Sequence, residues 1–253
     1  MAPRGLAIII GAGPTSGGGI ARYLANQGNL AVAVLARNPT NLNGVVEKIR
    51  STNKAAIVEA FPTDTSVGQL QSTFKKISQH ASFQGLKLKL AIYHIKQSAK
   101  EPFLDTKPEE FSKSMDTYVT GALTFAQESA RLMYSQNGGQ TLLADTKGEK
   151  KGTIIFTGTL GALRTNAEYT SYGATRSAAR SVAQALAKGE SKFGIHAVHA
   201  IANGPIRDEE SEATKTGASM SADAVAAEYL HLMDQSPALW THELDLRPAQ
   251  EKF

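Results

Sequence analysis

The chain has 253 residues, no cysteine, and 27 Lys and Arg against 23 Asp and Glu, for a net charge of +4. The missing cysteine excludes disulfides, zinc–thiolate sites, iron–sulfur clusters and a cysteine nucleophile. At 42% hydrophobic residues the composition suits one globular α/β domain over residues 1–253. The mild charge argues against a nucleic-acid partner, because its one tight cluster, Lys147–Lys151, is diluted by a glutamate. The longest apolar runs, such as Leu30–Ala36, are far too short to span a bilayer. No leader is evident at MAPRGLAIIIGAG, so a cytoplasmic protein is expected.

In chain order, short apolar runs alternate with longer stretches of helical spacing. Leu6–Ile10, Leu30–Leu35, Ala56–Ala60, Leu88–Tyr93, Thr153–Phe156 and Ala197–Ile201 read as strands buried on both faces. Between them, helical stripes run through Ile20 and Leu24, then Leu42, Val45, Val46 and Ile49, then Leu70, Phe74 and Ile77. A long fourth stripe extends from Phe111 to Leu132, and an alanine-rich fifth from Tyr172 to Ala187. Ser221 caps a sixth, with Asp223 in its first turn. This order predicts a doubly wound parallel sheet flanked by helices. The polar stretch Asn203–Met220 follows the sixth strand. Ligands bind at the carboxyl ends of strands in such sheets, so it is a candidate substrate lid.

The first strand feeds directly into Gly11-Ala12-Gly13-Pro14-Thr15-Ser16-Gly17-Gly18-Gly19-Ile20. Glycines there allow a sharp turn and close approach of backbone to a phosphate, and the following helix aims its N–H groups at that phosphate. The second strand ends in Ala36-Arg37-Asn38-Pro39, with no acidic residue. An arginine there accommodates a 2′-phosphate, so NADP(H) is the expected cofactor. Asp64, in Phe61-Pro62-Thr63-Asp64-Thr65, either accepts from the adenine amino group or caps the next helix. The expected cofactor set is Gly13, Thr15, Ser16, Gly17, Gly18, Gly19, Arg37, Asn38, Asp64 and Thr65. The six histidines show no metal-ligand spacing, and His94, His196 and His199 read as structural.

Ala12-Gly13-xxx-Gly17-x-Gly19, Asp64, Tyr172-xxx-Arg176 and Leu244-Asp245-Leu246-Arg247-Pro248 resemble the short-chain dehydrogenase/reductases. The resemblance covers essentially the whole chain. It implies a single Rossmann domain of about seven strands, a nicotinamide cofactor, a small-molecule substrate and a homodimer or homotetramer. The family works with an Asn, a Ser, a Tyr that donates a proton, and a Lys that supports the tyrosine and the nicotinamide ribose. Here Tyr172 is kept, but Arg176 replaces the lysine, and Thr159 (or Gly158, one register away) replaces the serine. Tyr118 replaces the asparagine, and Tyr93-His94-Ile95-Lys96 stands for the family's Asn-Asn-Ala-Gly. Arginine does not substitute conservatively for a lysine point charge.

Leu90-Ala91-Ile92-Tyr93, Thr117-Tyr118-Val119-x-Gly121 and Trp240-Thr241-His242-Glu243-Leu244 further resemble a divergent fungal-type subgroup. It includes bifunctional reductase/Diels–Alderases of prenylated indole alkaloid biosynthesis. That resemblance implies reduction of a hydrophobic, cationic cyclic iminium and an intramolecular [4+2] cycloaddition. It assigns polar roles to Arg131 and to position 166, where an aspartate is implied and this chain has Asn166. Two other readings stay open: a carbonyl reductase using Tyr172, Thr159 and Arg176, and a non-catalytic NADP(H)-binding protein.

Overall fold

The computed structural model describes residues 2–96 and 100–251. The strands are β1 (Leu6–Ile10), β2 (Ala31–Ala36), β3 (Val58–Pro62), β4 (Leu88–Tyr93), β5 (Gly152–Gly158), β6 (Ile195–Ala202), β7 (Ile206–Arg207), β8 (Met220–Ser221) and β9 (Glu243–Leu246). The helices are α1 (Ser16–Asn26), α2 (Pro39–Thr52), α3 (Val67–Gln79), α4 (Pro108–Met115), α5 (Gly121–Gln136), α6 (Thr170–Glu190), α7 (Glu212–Lys215) and α8 (Ala222–Asp234). Seven strands form one sheet in the order β3-β2-β1-β4-β5-β6-β9, every pair parallel. The winding reverses between β1 and β4, and this switch point opens the crevice that such sheets use for ligands. The expected doubly wound α/β fold is the one observed.

Side chains alternate across the sheet. Ala7, Ile9, Val32, Val34, Leu90 and Ile92 pack beneath α1, α2 and α8. Leu6, Ile8, Ile10, Ala33, Leu35 and Ala91 pack on the opposite face against α3 and α5. Both faces are covered, which is why the central strands are apolar without alternation.

Local chemistry sets the helix starts. The Asn38 side chain accepts from the Asn41 N–H at 3.1 Å, with Pro39 at the first helical position of α2. Ser221 accepts from the Ala224 N–H at 3.0 Å, the expected cap of α8. The single long stripe expected from Phe111 to Leu132 divides instead into α4 and α5, joined by a π-helical turn over Asp116–Thr120. The extra residue per turn displaces a carbonyl from the helical ladder. The Tyr93 hydroxyl donates to the Thr117 carbonyl there.

The segment 203–220 is anchored at both ends. Its β7 pairs with β8. Asp208, just beyond β7, is nearly buried and paired with Arg22 at 3.1 Å and Lys48 at 2.6 Å. Among the described residues no helix is long and apolar enough to cross a membrane.

Candidate active site

Two cavities lie side by side along the carboxyl edge of the sheet, of about 560 and 510 Å3. Thr15, Ser16, His94, Ile95 and Lys96 line both, so the two form one elongated cleft passing over the start of α1. The second cavity runs out past Gly13 to Arg37, Asp64 and Thr65. The first contains Thr159, Asn166, Tyr172 and Arg176.

The glycines of the loop divide into two groups. Gly11 has φ +91°, and a Cβ there would collide with the His94 carbonyl, so the turn requires glycine. Gly13 lines the second cavity, and a Cβ on it would meet nothing within 4 Å. Gly17, Gly18 and Gly19 do not line the cleft; they are buried and serve close packing. A Cβ on Gly18 would come 2.7 Å from the Gly13 carbonyl oxygen, and one on Gly19 2.6 Å from Ala222. Their small size brings α1 down onto its neighbours and so places the helix N-terminus under the cleft.

Arg37 is exposed at the far end of the second cavity. Asn38 does not line it, because its side chain is engaged in capping α2. Asp64 Oδ1 accepts from the Ser66 N–H at 2.9 Å and the Ser66 hydroxyl at 2.6 Å, immediately before α3. These hydrogen bonds, with a lesser attraction from Arg37, hold its carboxyl below the usual carboxylate range. The N-cap of α3 is Ser66, so Asp64 shapes the turn that leads into the helix.

In the first cavity the Tyr172 hydroxyl donates to Thr159 Oγ1 at 2.5 Å. Thr159, of the two registers the sequence left open, therefore supplies the hydroxyl beside the tyrosine. Thr159 also accepts from the Gly161 N–H at 3.3 Å, which fixes its rotamer. One turn further along α6 the Arg176 guanidinium is buried, 3.7 Å from the Tyr118 ring centroid and 4.7 Å from that of Tyr172. Two aromatic faces can shelter a guanidinium where they could not fully solvate an ammonium. The residue at the asparagine position, Tyr118, thus supplies a stacking face for the residue at the lysine position, Arg176.

Asn166 lines the first cavity from its exposed loop. Arg131 is not brought to the cleft. Its guanidinium pairs with Glu128 at 2.6 Å, and its side chain is 63% exposed. α5 begins at the cleft and runs back beneath the sheet, so ten residues beyond Gly121 Arg131 lies about 15 Å down the axis. Trp240 is also elsewhere, stacked on His196 at 5.0 Å.

Three further groups of the cleft lie outside the expected site set. Lys96 lines both cavities. Glu251 reaches the first, its carboxylate accepting from Asn203 Nδ2 at 2.8 Å. His94, read as structural, bridges Ser16 and Thr157 from a buried position at the end of β4. Only His94 carried a signal, as a polar residue closing an apolar strand.

A seven-stranded parallel sheet, a glycine turn at the foot of α1 and a tyrosine–threonine hydroxyl pair across the same cleft define an α/β oxidoreductase of the dehydrogenase class. The chain belongs to the short chain dehydrogenase family, whose model matches residues 5–218. It is similar to an uncharacterized oxidoreductase of Staphylococcus epidermidis, 23% identical over 246 residues, with 96% of each chain covered. An uncharacterized oxidoreductase of Staphylococcus saprophyticus is 25% identical over 253 residues, covering 96% of this chain and 97% of that one. Among solved structures, a short-chain dehydrogenase from Rhodopseudomonas palustris superposes with a TM-score of 0.76 at 24% identity, over 97% of this chain and 100% of the other. An alcohol dehydrogenase from Thermococcus sibiricus, complexed with 5-hydroxy-NADP, gives 0.78 at 16% identity, over 98% of each.

Proposed function

We propose that the protein is an NADP(H)-dependent reductase of a carbonyl compound, with Tyr172 as proton donor. The observation that carries this reading is the Tyr172–Thr159 hydroxyl pair, 2.5 Å apart on the cavity wall. The cleft fits a dinucleotide: two cavities joined over the α1 N-terminus, an open floor at Gly13, and Arg37 where a 2′-phosphate would lie. Thr15, Ser16, Gly13, Asp64 and Thr65 would hold the cofactor along that length. When bound, the reduced nicotinamide supplies a hydride.

The chain's own residues supply the rest. A carbonyl oxygen seated between the Thr159 and Tyr172 hydroxyls accepts hydrogen bonds from both. As negative charge develops on that oxygen, the Tyr172 O–H bond breaks and the product O–H forms. The phenolate left behind faces the buried Arg176 guanidinium, whose positive charge stabilises it. The lid Asn203–Met220 contributes Asn203, Gly204 and Ile206 to the same cavity and would cover the substrate.

A second reading, reduction of a cyclic iminium, has its own support in the Glu251 carboxylate and the Asn166 amide on the cavity wall. Both suit a cation, and hydride addition to an iminium needs no proton at that step. Arg131, the other group assigned to this chemistry, stands outside the cleft. A cycloaddition function rests on sequence resemblance alone. Association into dimers or tetramers likewise rests on the sequence resemblance alone.

Tyr172→Phe separates the readings. For a carbonyl reductase, NADPH oxidation against a panel of ketones and aldehydes should fall at least 100-fold, with the Kd for NADPH within twofold of wild type. An iminium reductase would turn over a cyclic iminium with only a small loss. No turnover of either class by the wild-type protein would leave the non-catalytic reading.

A further inference from the structure

The described wall of the first cavity carries three cations and one carboxylate: Lys96, Arg164, Arg176 and Glu251. Three of these four are already committed. Glu251 accepts from Asn203 Nδ2 at 2.8 Å and is attracted to Arg247. Arg176 is buried against the Tyr118 and Tyr172 rings. Lys96 lines both cavities where they join, along the path a dinucleotide would take. Arg164 lines the first cavity alone. It is exposed, and its side chain makes no hydrogen bond or ion pair among the described residues.

The loop that carries Arg164 is held in place. The Arg164 N–H donates to the Leu160 carbonyl at 3.1 Å, which keeps residue 164 within one turn of Leu160, the neighbour of Thr159. Thr165 packs on α6, where a Cβ on Gly173 would come 1.8 Å from Thr165 Oγ1. The Glu101 N–H donates to the Glu168 carbonyl at 3.0 Å, and Lys100 pairs with the Glu168 carboxylate at 3.0 Å. That pair also occupies the loop's own carboxylate, so nothing in the loop offsets Arg164. Asn166, two residues on, lines the same cavity and adds an amide donor. A guanidinium fork meets a carboxylate or phosphate through two parallel hydrogen bonds. A cationic substrate would instead face Arg164 with Glu251 already engaged.

We propose that the substrate is an anionic carbonyl compound whose carboxylate or phosphate oxygens are bound by Arg164. Asn166 adds an N–H to the same anion, while the carbonyl lies between Thr159 and Tyr172. The inference rests on the carbonyl-reductase reading for the reacting group and on the charges of the cavity wall for the anion. Arg164 is a binding residue and takes no part in hydride or proton transfer.

Two measurements test it. In the first, NADPH oxidation is followed with a ladder of straight-chain oxo acids and oxo-alkyl phosphates. The ladder varies the spacing of carbonyl and anion, and each member is paired with its neutral ester or alcohol. For the best member kcat/KM should exceed that of its neutral partner about tenfold at low salt. The advantage should shrink as NaCl is added. Arg164→Met should bring the ratio to about one, and Arg164→Lys should keep part of it. A preference for carboxylates or for phosphates supports the site and names its anion. In the second, calorimetry compares binding of hexanoate and hexanamide with NADP+ present. Hexanoate should bind about tenfold more tightly, and Arg164→Met should abolish the difference. Equal turnover of oxo acids and their esters overturns the proposal, as does an acid preference that survives Arg164→Met. Where no carbonyl compound is reduced, hexanoate decides. A preference lost in Arg164→Met keeps the anion site and overturns the carbonyl reading, and no preference overturns both.

Discussion

Arg37 concentrates the question of cofactor preference in one side chain. It is exposed at the end of the cleft, and the Asp64 carboxylate that attracts it is already engaged by Ser66. Arg37 is thus available to a ligand phosphate. Replacing Arg37 with alanine should raise the Kd for NADP+ roughly tenfold, about 1.4 kcal/mol, and leave that for NAD+ unchanged. Equal losses for both cofactors would remove Arg37 from the 2′-phosphate site. The same scale separates Arg176 from an ordinary Lys-to-Arg exchange. Its guanidinium is enclosed by two tyrosine rings, so Arg176→Lys would exchange a flat, stacked cation for a strongly hydrated point charge. That change should reduce activity rather than restore the family pattern.

At the scale of elements, α1 shows two uses of glycine. Gly19 faces Asp208 and Ala222, so Gly19→Ala should push α1 away from α8 and disturb the Arg22–Asp208 pair. Overpacking of this kind costs about 1–3 kcal/mol, read as a lower Tm. Gly13→Ala meets no protein atom, so the Tm should stay within about 1 °C while NADP+ binding weakens, because the new methyl occupies the cleft floor. The pair of variants tests whether packing and ligand contact are divided within the loop as the structure divides them. The π-helical turn between α4 and α5 belongs to the same scale. It carries both Tyr118, which stacks on Arg176, and the Thr117 carbonyl, which accepts from Tyr93.

For the whole molecule, two buried histidines couple stability to pH. Burial pushes both His94 and His196 down to about 4, with Lys96 acting against His94 and Lys150 and His242 against His196. In the unfolded chain both rings protonate near 6.5. Between those values the unfolded state binds protons that the native state refuses, so stability falls as pH drops. Above 6.5 both states are neutral at these rings and the contribution is constant. By pH 4 the loss should approach roughly 3 kcal/mol for each histidine. Urea unfolding midpoints at pH 7.5, 6 and 5 read the effect above the carboxylate range. A flat midpoint across that interval would mean that both rings take up protons in the native protein as readily as in the unfolded chain.

The sequence by itself determined the doubly wound sheet, because strands buried on both faces need unbroken apolar runs and helices covering them need periodic ones. It also located the glycine turn and Tyr172, which are local patterns beside recognisable strands and helices. Only the tertiary structure decided which polar groups meet. Asn38 proved to be a cap, Gly17 to Gly19 proved to be packing residues, and Arg131 fell on the solvent side of α5. Conversely, Tyr118 came to lie on Arg176, and His94 between Ser16 and Thr157. Backbone propensity and periodicity act over a few residues, whereas the cleft is assembled from β1, β4, β5 and α6, whose spacing depends on parallel pairing across the whole sheet.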